Sequence, residues 1–309
     1  DEEVPFEIVG VLPIVRMRNI KFLTSLISMP FCDFGGAVPD HCETRQMLIW
    51  EAITLGNKIG AKQIELRNTE NPINSKSLDV KKYGKKLFCS EESRRYRLLL
   101  KLPESSSKLM AGFKSKLRSQ IRRPSKSGCI AKYGKTDLID DFYTVFASNM
   151  RDLGSPVHSK RLFANIFKEF GDKTTIFIVT KNNVPLAGSI TIGFRGTMHN
   201  PWASSLRQYS RFSPNMLLYW KMLEFACDNG YKVFDFGRSY LNEGTYRFKK
   251  QWGAEPVPLH WQYISYTKNS NAHITSENRT FRAAGEFWKR LPVGLTKIIG
   301  PHLRRYIGL

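Results

Sequence analysis

The sequence predicts an α/β protein built from two similar units. Strand-like runs rich in β-branched residues alternate with helical runs, in which apolar residues recur three and four apart. Residues 47–67 and 217–237 also align with each other at an offset of 170 residues. The shared order of strand, loop, helix and strand indicates duplication. We therefore expect mixed sheets flanked by helices in both units.

Two pairs of equivalent residues support the repeat. Gly60 matches Gly230, and each follows the last turn of a predicted helix, where a left-handed C′ position favours glycine. Glu65 matches Asp235, and each lies inside a short apolar strand. The two stretches therefore combine the same helix end with the same polar position in a strand.

Three segments are predicted along the chain. Residues 1–103 form the first unit, expected to lack its N-terminal part and closed by a strand at Tyr96–Leu102. Residues 104–267 contain a linking helix and the second unit, and residues 268–309 form a polar stretch followed by a basic, partly apolar tail. The elements predicted for the second unit are helices near Leu138–Arg151 and Ser159–Phe170, the repeat helix, and strands at Thr175–Thr180, Leu186–Phe194, Val233–Gly237 and Leu259–Tyr266.

Composition narrows the class of partner and the compartment. The 309 residues carry a formal charge of +21, which favours an anionic partner such as nucleic acid, an acidic membrane face or a phosphorylated substrate. The five cysteines are widely spaced without a C-x-x-C motif, which predicts a reduced, cytoplasmic protein with no zinc site. No apolar run reaches the roughly 18 residues of a spanning helix. The oligomeric state is left open.

The segment from Val233 to Leu259 concentrates functional side chains. It reads as a strand, a polar loop, a short basic helix and an exit broken by prolines. Phe248 and Trp252 share one helix face, which leaves the basic residues on the other. The ends of strands in open α/β sheets are where ligands bind. The alternative is a solvated basic face over an aromatic anchor.

This segment resembles the FemABX-like aminoacyltransferases of the GNAT superfamily. F-K-K-x-W-G, from Phe248 to Gly253, is similar to the family's F-K-x-x-F-G signature, and the D-F-G-R strand end at Asp235–Arg238 is similar to the family pattern. The resemblance covers most of the chain and is nearest to the branch associated with exopolysaccharide and PEP-CTERM systems. It implies tandem GNAT-like domains and transfer of an amino acid from aminoacyl-tRNA to an amine of a peptidoglycan precursor.

Roles follow for the residues of this segment. Lys249 would lie beside the reacting ester and stabilise the oxyanion of the tetrahedral intermediate. Asp235 would deprotonate or orient the incoming ammonium, or instead hold Arg238 structurally. The catalytic candidates are thus Lys249, Asp235 and Tyr246. The candidates for substrate binding in this segment are Arg238, Arg247, Lys250 and Trp252.

A second basic segment, Lys108–Lys135, carries nine Lys or Arg residues and no acidic one. Apolar residues four apart, at positions 109, 113, 117 and 121, predict one amphipathic helix that breaks at Pro124. Arg118, Arg122 and Arg123 on its cationic side are candidates for binding the phosphates of tRNA or of a lipid-linked pyrophosphate, an attraction that salt weakens. The resemblance points to the same residues, because family members carry a similar K-x-R-x-x-I-R-[KR] segment.

The donor is predicted from an absence in the sequence. Acetyl-CoA-dependent GNAT enzymes have a glycine-containing pyrophosphate loop before a helix, whereas Arg207–Leu217 has no glycine. We therefore expect aminoacyl-tRNA as co-substrate and no bound cofactor. Two alternatives stay open: an N-acyltransferase that uses acyl-CoA or an acyl carrier on an amino sugar or lipid headgroup, and a non-enzymatic module that binds tRNA or membrane.

The C-terminal tail, residues 285–309, mixes aromatic, aliphatic and basic residues. Such a composition suits docking at the anionic inner face of the cell membrane, where a lipid-linked precursor would be found. Packing of the same residues against the protein's own surface is equally compatible with the sequence. The chain is thus expected to be cytoplasmic, with peripheral membrane contact as one of these two alternatives.

Overall fold

A computed structural model describes residues 7–19, 22–70, 87–92, 94–267 and 279–307. The strands are β1 (Gly10–Val11), β2 (Ile14–Arg18), β3 (Thr24–Ser28), β4 (Val38–Pro39), β5 (Gln63–Asn68), β6 (Phe88–Glu92), β7 (Arg95–Lys101), β8 (Ile130–Gly134), β9 (Thr174–Lys181), β10 (Val184–Phe194), β11 (Thr197–Ser205), β12 (Val233–Tyr240), β13 (Glu255–Pro258) and β14 (His260–Ser265). The helices are α1 (Cys42–Lys58), α2 (Ser106–Gly112), α3 (Ser115–Lys126), α4 (Ile139–Asp152), α5 (Lys160–Phe170), α6 (Pro214–Asp228), α7 (Gly244–Lys250), α8 (Arg279–Lys289) and α9 (Val293–Arg304).

Contacts between residues divide the described chain into two compact units, and both are discontinuous in sequence. The first comprises residues 7–19, 22–70, 87–92, 94–96, 258–267 and 305–307, and the second comprises residues 97–257 and 279–304. Of the predicted third segment, residues 268–278 lie outside the described part of the chain. The residues that follow form α8 and α9.

The first unit contains a five-stranded sheet with the order β2-β3-β5-β14-β6. β3 runs parallel to β5, while β14 lies antiparallel to both β5 and β6. α1 connects β3 to β5, and it packs on the sheet through Ile49 and Ile53. These two residues share a core with Leu26, Ile64 and Ile264. The unit therefore depends on a strand that is far away in sequence.

That arrangement corrects two strand assignments. The strand predicted to end the second unit, Leu259–Tyr266, is β14 and lies in the first unit's sheet. The strand predicted to close the first unit, Tyr96–Leu102, is β7 and lies in the seven-stranded sheet that forms the second unit. Both assignments were wrong because nearness in sequence suggested the pairing, whereas a buried strand can pair with any edge that its hydrogen bonds fit. The boundaries at residues 103 and 267 stay predictions.

The second unit contains a seven-stranded sheet with the order β13-β7-β12-β11-β10-β9-β8. β9 is buried on both faces: Ile176 and Ile178 join the core with α4 and α5, whereas Phe177 contacts Phe225 of α6. Alternate residues of a strand point to opposite sides. Helices therefore cover both faces of this sheet, as the alternating pattern predicted.

The duplication is visible in the strand registers. In the first unit β3 pairs with β5 over three residues, from Ser25 opposite Gln63 to Ile27 opposite Glu65. In the second unit β11 pairs with β12 over three residues, from Thr197 opposite Val233. Gly60 and Gly230, with φ of +66° and +77°, follow the connecting helices. The predicted order of strand, helix and parallel strand is thus present twice.

The basic helix predicted over positions 109–121 is two helices. Phe113 and Lys114 have extended ψ angles of 144° and 149°, and the chain bends there between α2 and α3. Pro124 does not end α3, which continues to Lys126. A proline this near the end of a helix removes a hydrogen bond only from the last turn. The expected break is therefore wrong in position.

Among the residues that the structure describes, no helix is long and apolar enough to cross a membrane.

Gly230→Ala is expected to lower the free energy of unfolding by about 1 kcal/mol, because an L side chain is strained at positive φ. A Cβ there would meet no atom within 4 Å, so backbone strain alone is measured. Urea denaturation compares the two proteins. Gly244→Ala is the control, since it lies at the start of α7 without positive φ and is equally unobstructed. An unfolding free energy unchanged in Gly230→Ala would contradict the assignment.

Candidate active site

The two parallel strands β11 and β12 separate after a short paired stretch. Their register runs from Thr197 opposite Val233 to His199 opposite Asp235. β11 then continues to Ser205 and β12 to Tyr240, beyond the last registered pair. The strands therefore open a wedge, with His199 and Asp235 at its vertex. The space beyond the ends of parallel strands is where open α/β sheets bind ligands.

A bulge in β11 lies directly beside this vertex. Ile190 pairs with Trp202 and Ile192 with His199, so Asn200 and Pro201 together stand opposite a single residue of β10. Pro201 has no N–H to donate, and it is tolerated because the registered pairing with β12 has already ended. Bulges often redirect side chains beside active sites.

The bulge places a buried amide next to the wedge. The Ser189 hydroxyl lies 2.7 Å from Asn200 Oδ1 and 2.8 Å from the carbonyl of Trp202. Asn200 Nδ2 is buried and has no hydrogen bond of normal geometry to the described residues. It lies near the buried hydroxyl of Tyr219, whose pKa burial raises to about 12 although this amide lowers it. Buried polar groups need partners, and the Tyr219 hydroxyl is the group that lies near this amide.

Asp235 is the most heavily bonded carboxylate of the site and is only 2% exposed. Its Oδ2 accepts hydrogen bonds from Arg97 Nε at 3.1 Å and Nη2 at 2.8 Å, and lies 3.2 Å from His199 Nδ1. Its Oδ1 accepts the backbone N–H of Gly237 at 2.8 Å. Asp235 therefore holds Arg97 and His199, where the sequence had proposed Arg238 as the residue it holds.

These contacts set the protonation state of Asp235. Burial alone would raise its pKa, but the hydrogen bond with His199, the charge and hydrogen bonds of Arg97, and the Gly237 N–H together lower the pKa below its usual value. A carboxylate that is stabilised in this way is a weak base. That makes Asp235 poorly suited to the predicted deprotonation of the ammonium, whereas its orienting of the ammonium stays a prediction.

His199 was missed by the sequence analysis. Its side chain is 25% exposed, and its Nδ1 faces the Asp235 carboxylate. A carboxylate on Nδ1 fixes the tautomer and makes Nε2 the proton-accepting nitrogen. The strand that carries it was not predicted, because H-N-P-W reads as a loop. Recognising β11 as the partner of β12 would have placed His199 opposite Asp235.

Lys249, the foremost catalytic candidate, supports the end of β12. The residue is buried, and its Nζ donates to the carbonyls of Gly237 at 3.0 Å and Arg238 at 2.8 Å. Gly237 has φ +73°, so the strand is irregular where the ammonium binds it. Two of the three ammonium hydrogens are thereby engaged by the backbone. The predicted contact of Lys249 with the reacting ester stays a prediction.

The other candidates of this segment are placed unequally. Tyr246 and Arg238 are half-buried, and Arg247 and Lys250 are exposed. Trp252 is 1% exposed and fully enclosed. Its ring packs against three aromatic rings, those of Phe113, Tyr219 and Phe248, at centroid distances of 5.7, 6.3 and 6.2 Å. The predicted substrate contact of Trp252 is therefore corrected: its burial makes it the anchor of α7 on the core.

The basic residues of α3 lie on the side away from the core. Leu117 and Ile121 are buried, and α3 packs on α6. Arg122 and Arg123 are exposed and Arg118 is half-buried. The predicted division into an apolar and a cationic side is thus present. Whether the cationic side binds phosphate stays a prediction.

No cluster of three or more His, Cys, Asp or Glu residues is placed to hold a metal ion within the part of the chain that the structure describes. All five cysteines are free thiols. The loop before α6, which has no glycine, ends at Ser213, whose φ of +53° is left-handed. Side chains therefore occupy a loop where a glycine-rich loop would expose its backbone.

Comparison with known families identifies the second unit. Residues 111–250 match the family model of the acetyltransferase (GNAT) domain, and the whole match lies within the second unit. This segment is therefore a GNAT domain, and the protein is an acyltransferase. The match supports an enzyme over the alternative of a non-enzymatic binding module. No curated protein matches the chain in sequence.

Solved structures share the fold over most of the chain. FemX has 13% identity and a TM-score of 0.56, covering 84% of this chain and 86% of its own. The C-terminal domain of a protein assigned as a lysylphosphatidylglycerol synthetase from Agrobacterium fabrum has 12% identity and a TM-score of 0.54, covering 82% and 84%. L-PGS from Bacillus licheniformis has 11% identity and a TM-score of 0.51, covering 90% of both chains. The predicted tandem GNAT-like fold is confirmed.

Asp235→Asn is expected to lower the free energy of unfolding by about 3 kcal/mol near neutral pH, because Arg97 loses its buried partner. The lowered pKa means that the carboxylate stabilises the fold above its unfolded pKa, near 4, and that this contribution is lost as pH falls through the lower folded pKa. Denaturation of both proteins across acidic pH measures the difference. The difference in unfolding free energy between the two proteins should narrow below about pH 4. A difference that does not change with pH would contradict a stabilising ion pair between Asp235 and Arg97.

Proposed function

We propose that this GNAT acyltransferase moves an aminoacyl group from aminoacyl-tRNA to an amine of a cell-envelope or peptidoglycan-type precursor. One observation carries the proposal: His199 and Asp235 stand at the vertex of the β11–β12 wedge in the GNAT domain. Forming an amide from an ester requires an unprotonated amine beside a carbonyl. A histidine oriented by a carboxylate supplies the base for that step.

The reaction divides between residues of the wedge. His199 Nε2 takes a proton from the acceptor ammonium and passes it to solvent, and the free amine attacks the ester carbonyl. In the tetrahedral intermediate that results, the neutral imidazole takes a second proton from the attacking nitrogen and leaves an oxyanion. Collapse breaks the bond to the 3′-terminal hydroxyl oxygen of the tRNA, which leaves with a proton returned by the imidazolium. The uncharged amide remains on the acceptor. Asp235 orients the imidazole, as carboxylates do beside catalytic histidines.

Lys249 then has a positioning role in this proposal. Its ammonium binds the Gly237 and Arg238 carbonyls, and so fixes the backbone immediately after Asp235. Arg238 leaves the strand at this point and is half-buried. Lys249 therefore determines where Arg238 and the end of the wedge lie. On the same helix as Lys249, Tyr246 remains a proposed catalytic residue and Arg247 a proposed contact with the substrates.

Two features support an aminoacyl-tRNA donor. The loop before α6 lacks the glycines that let a CoA pyrophosphate approach the backbone. The cationic side of α3, with Arg122 and Arg123 exposed, offers charge for a polyanion much larger than CoA. The names of two structural neighbours, FemX and a lysylphosphatidylglycerol synthetase, fit aminoacyl chemistry on an envelope component.

A second candidate keeps the wedge and changes the donor. The matching family model describes an acetyltransferase domain, which favours an acyl-CoA or acyl-carrier donor and an amino sugar or lipid headgroup of exopolysaccharide synthesis as acceptor. The same base and orienting carboxylate would serve that reaction. Tight binding of acetyl-CoA in a calorimeter, with no turnover of charged tRNA, would favour this candidate.

His199→Ala is expected to lower kcat by about 100-fold or more, because general base catalysis contributes at least that much. The assay follows amide formation from charged tRNA and amine-bearing precursors. His302→Ala removes an exposed histidine from α9 and serves as the control. Circular dichroism and thermal unfolding of both variants check that the fold is intact. A folded His199→Ala variant with full turnover would contradict the assignment of the base.

Charge reversal on α3, Arg122→Glu with Arg123→Glu, is expected to raise KM for charged tRNA by about tenfold or more, since each lost phosphate contact weakens binding and lowers its salt dependence. The same reversal at Lys168 and Lys173, which are also exposed in the second unit, is the matched control. Initial rates at several salt concentrations measure both. If KM for charged tRNA rose equally in both double variants, the net charge of the protein and not the position of α3 would determine tRNA binding.

A further inference from the structure

The last helix of the second unit, α9, turns its polar and small residues toward the protein. Thr296, Gly300 and Arg304 follow one another at spacings of four and are buried. A Cβ on Gly300 would lie 2.9 Å from the Val157 side chain, so the helix approaches the chain closely there. α9 packs on α4. The side of α9 that the fold uses is therefore its less apolar side.

The opposite side of α9 is aliphatic and faces solvent. We call this side the outer stripe, and it consists of Leu295, Ile298, Ile299 and Leu303. All four side chains are exposed, and Ile298 is 69% exposed. Spacings of three and four put these residues on one helical face. A surface helix of a globular protein normally turns such a stripe to the core. The outer stripe is therefore available to a partner.

The exposed charges of α8 and of the turn before α9 are mostly positive. Glu286 is the acidic residue among them, and its carboxylate pairs with Lys289. Arg282 and Lys289 of the preceding helix α8 and Arg290 just after it are exposed, as is the large apolar side chain of Phe287. Exposed apolar residues combined with unbalanced cations are the features of a segment that lies in a membrane interface.

We propose that α8 and α9 dock the protein on an anionic lipid bilayer, with the outer stripe inserted at the boundary between headgroups and acyl chains. The bilayer offers hydrocarbon to Ile298 and its neighbours and negative headgroups to Arg282 and Arg290. A second copy of the chain would instead bring like charges together, because each copy carries a formal charge of +21. The occupant that satisfies both the apolar and the cationic residues is thus a lipid surface.

Vesicle sedimentation tests this surface directly. The full chain should sediment with vesicles of phosphatidylcholine and phosphatidylglycerol in equal parts, but not with phosphatidylcholine alone, and added salt should weaken the binding. Ile298→Asp should lower the partition coefficient by about tenfold or more, because the buried aliphatic area is lost and a charge is added. Ile130→Asp, at a position 67% exposed on strand β8, makes the same change elsewhere and should bind as the wild type.

Three results would each overturn the proposal. The wild type could fail to bind the phosphatidylglycerol vesicles, Ile298→Asp could bind them as well as the wild type, or Ile130→Asp could lose as much vesicle binding as Ile298→Asp. Sedimentation velocity distinguishes the remaining occupant: a wild-type dimer that Ile298→Asp converts to a monomer, without vesicle binding, would assign the outer stripe to a second copy. The measurement uses neither acyl donor nor acceptor, so it is independent of whether the proposed reaction is correct.

Discussion

The buried carboxylate of Asp235 is the interaction on which the second unit depends. β7, β12 and β11 are neighbours in the sheet, and Asp235 of the middle strand bonds to Arg97 of one neighbour and His199 of the other. A charge in the interior is tolerated only when it is paired and hydrogen-bonded. The same group that joins three strands therefore also orients the imidazole at the vertex. A substitution of Asp235 would therefore disturb both the contacts between these strands and the orientation of His199.

Duplication gave both units the same backbone but only one of them this chemistry. Glu65 of the first unit occupies the position of Asp235, yet the residue opposite it on the parallel strand is Ile27, where the second unit has His199. Glu65 instead binds the buried Arg67 at 2.7 Å, two residues along its own strand. A carboxylate at this position is thus compatible with a purely structural role. The neighbouring strand decides whether this carboxylate has a histidine beside it.

Sequence patterns predicted the parts of this fold that are encoded locally. The repeat helices, their glycine ends and the strand with Asp235 follow from periodicity and from backbone preferences that neighbouring residues determine. His199 could not be found in this way. Pro201 makes its strand look like a loop in the sequence, and its partner Asp235 is 36 residues away. Lys249 was found by its motif, but its hydrogen bonds to backbone carbonyls carry no sequence signal. Long-range pairing and side-chain direction were the information that the sequence lacked.

The position of β14 has a consequence for how the protein is made. In the first unit's sheet, β14 lies between β5 and β6, although almost two hundred residues separate it from β5 along the chain. A ribosome adding about 5–20 residues per second needs roughly 10–40 s to cover that distance. Until then β5 presents an unpaired edge, which is a template for aggregation. The second unit's residues are synthesised during this interval, so the nascent first unit has to wait, or be protected, while its neighbour forms.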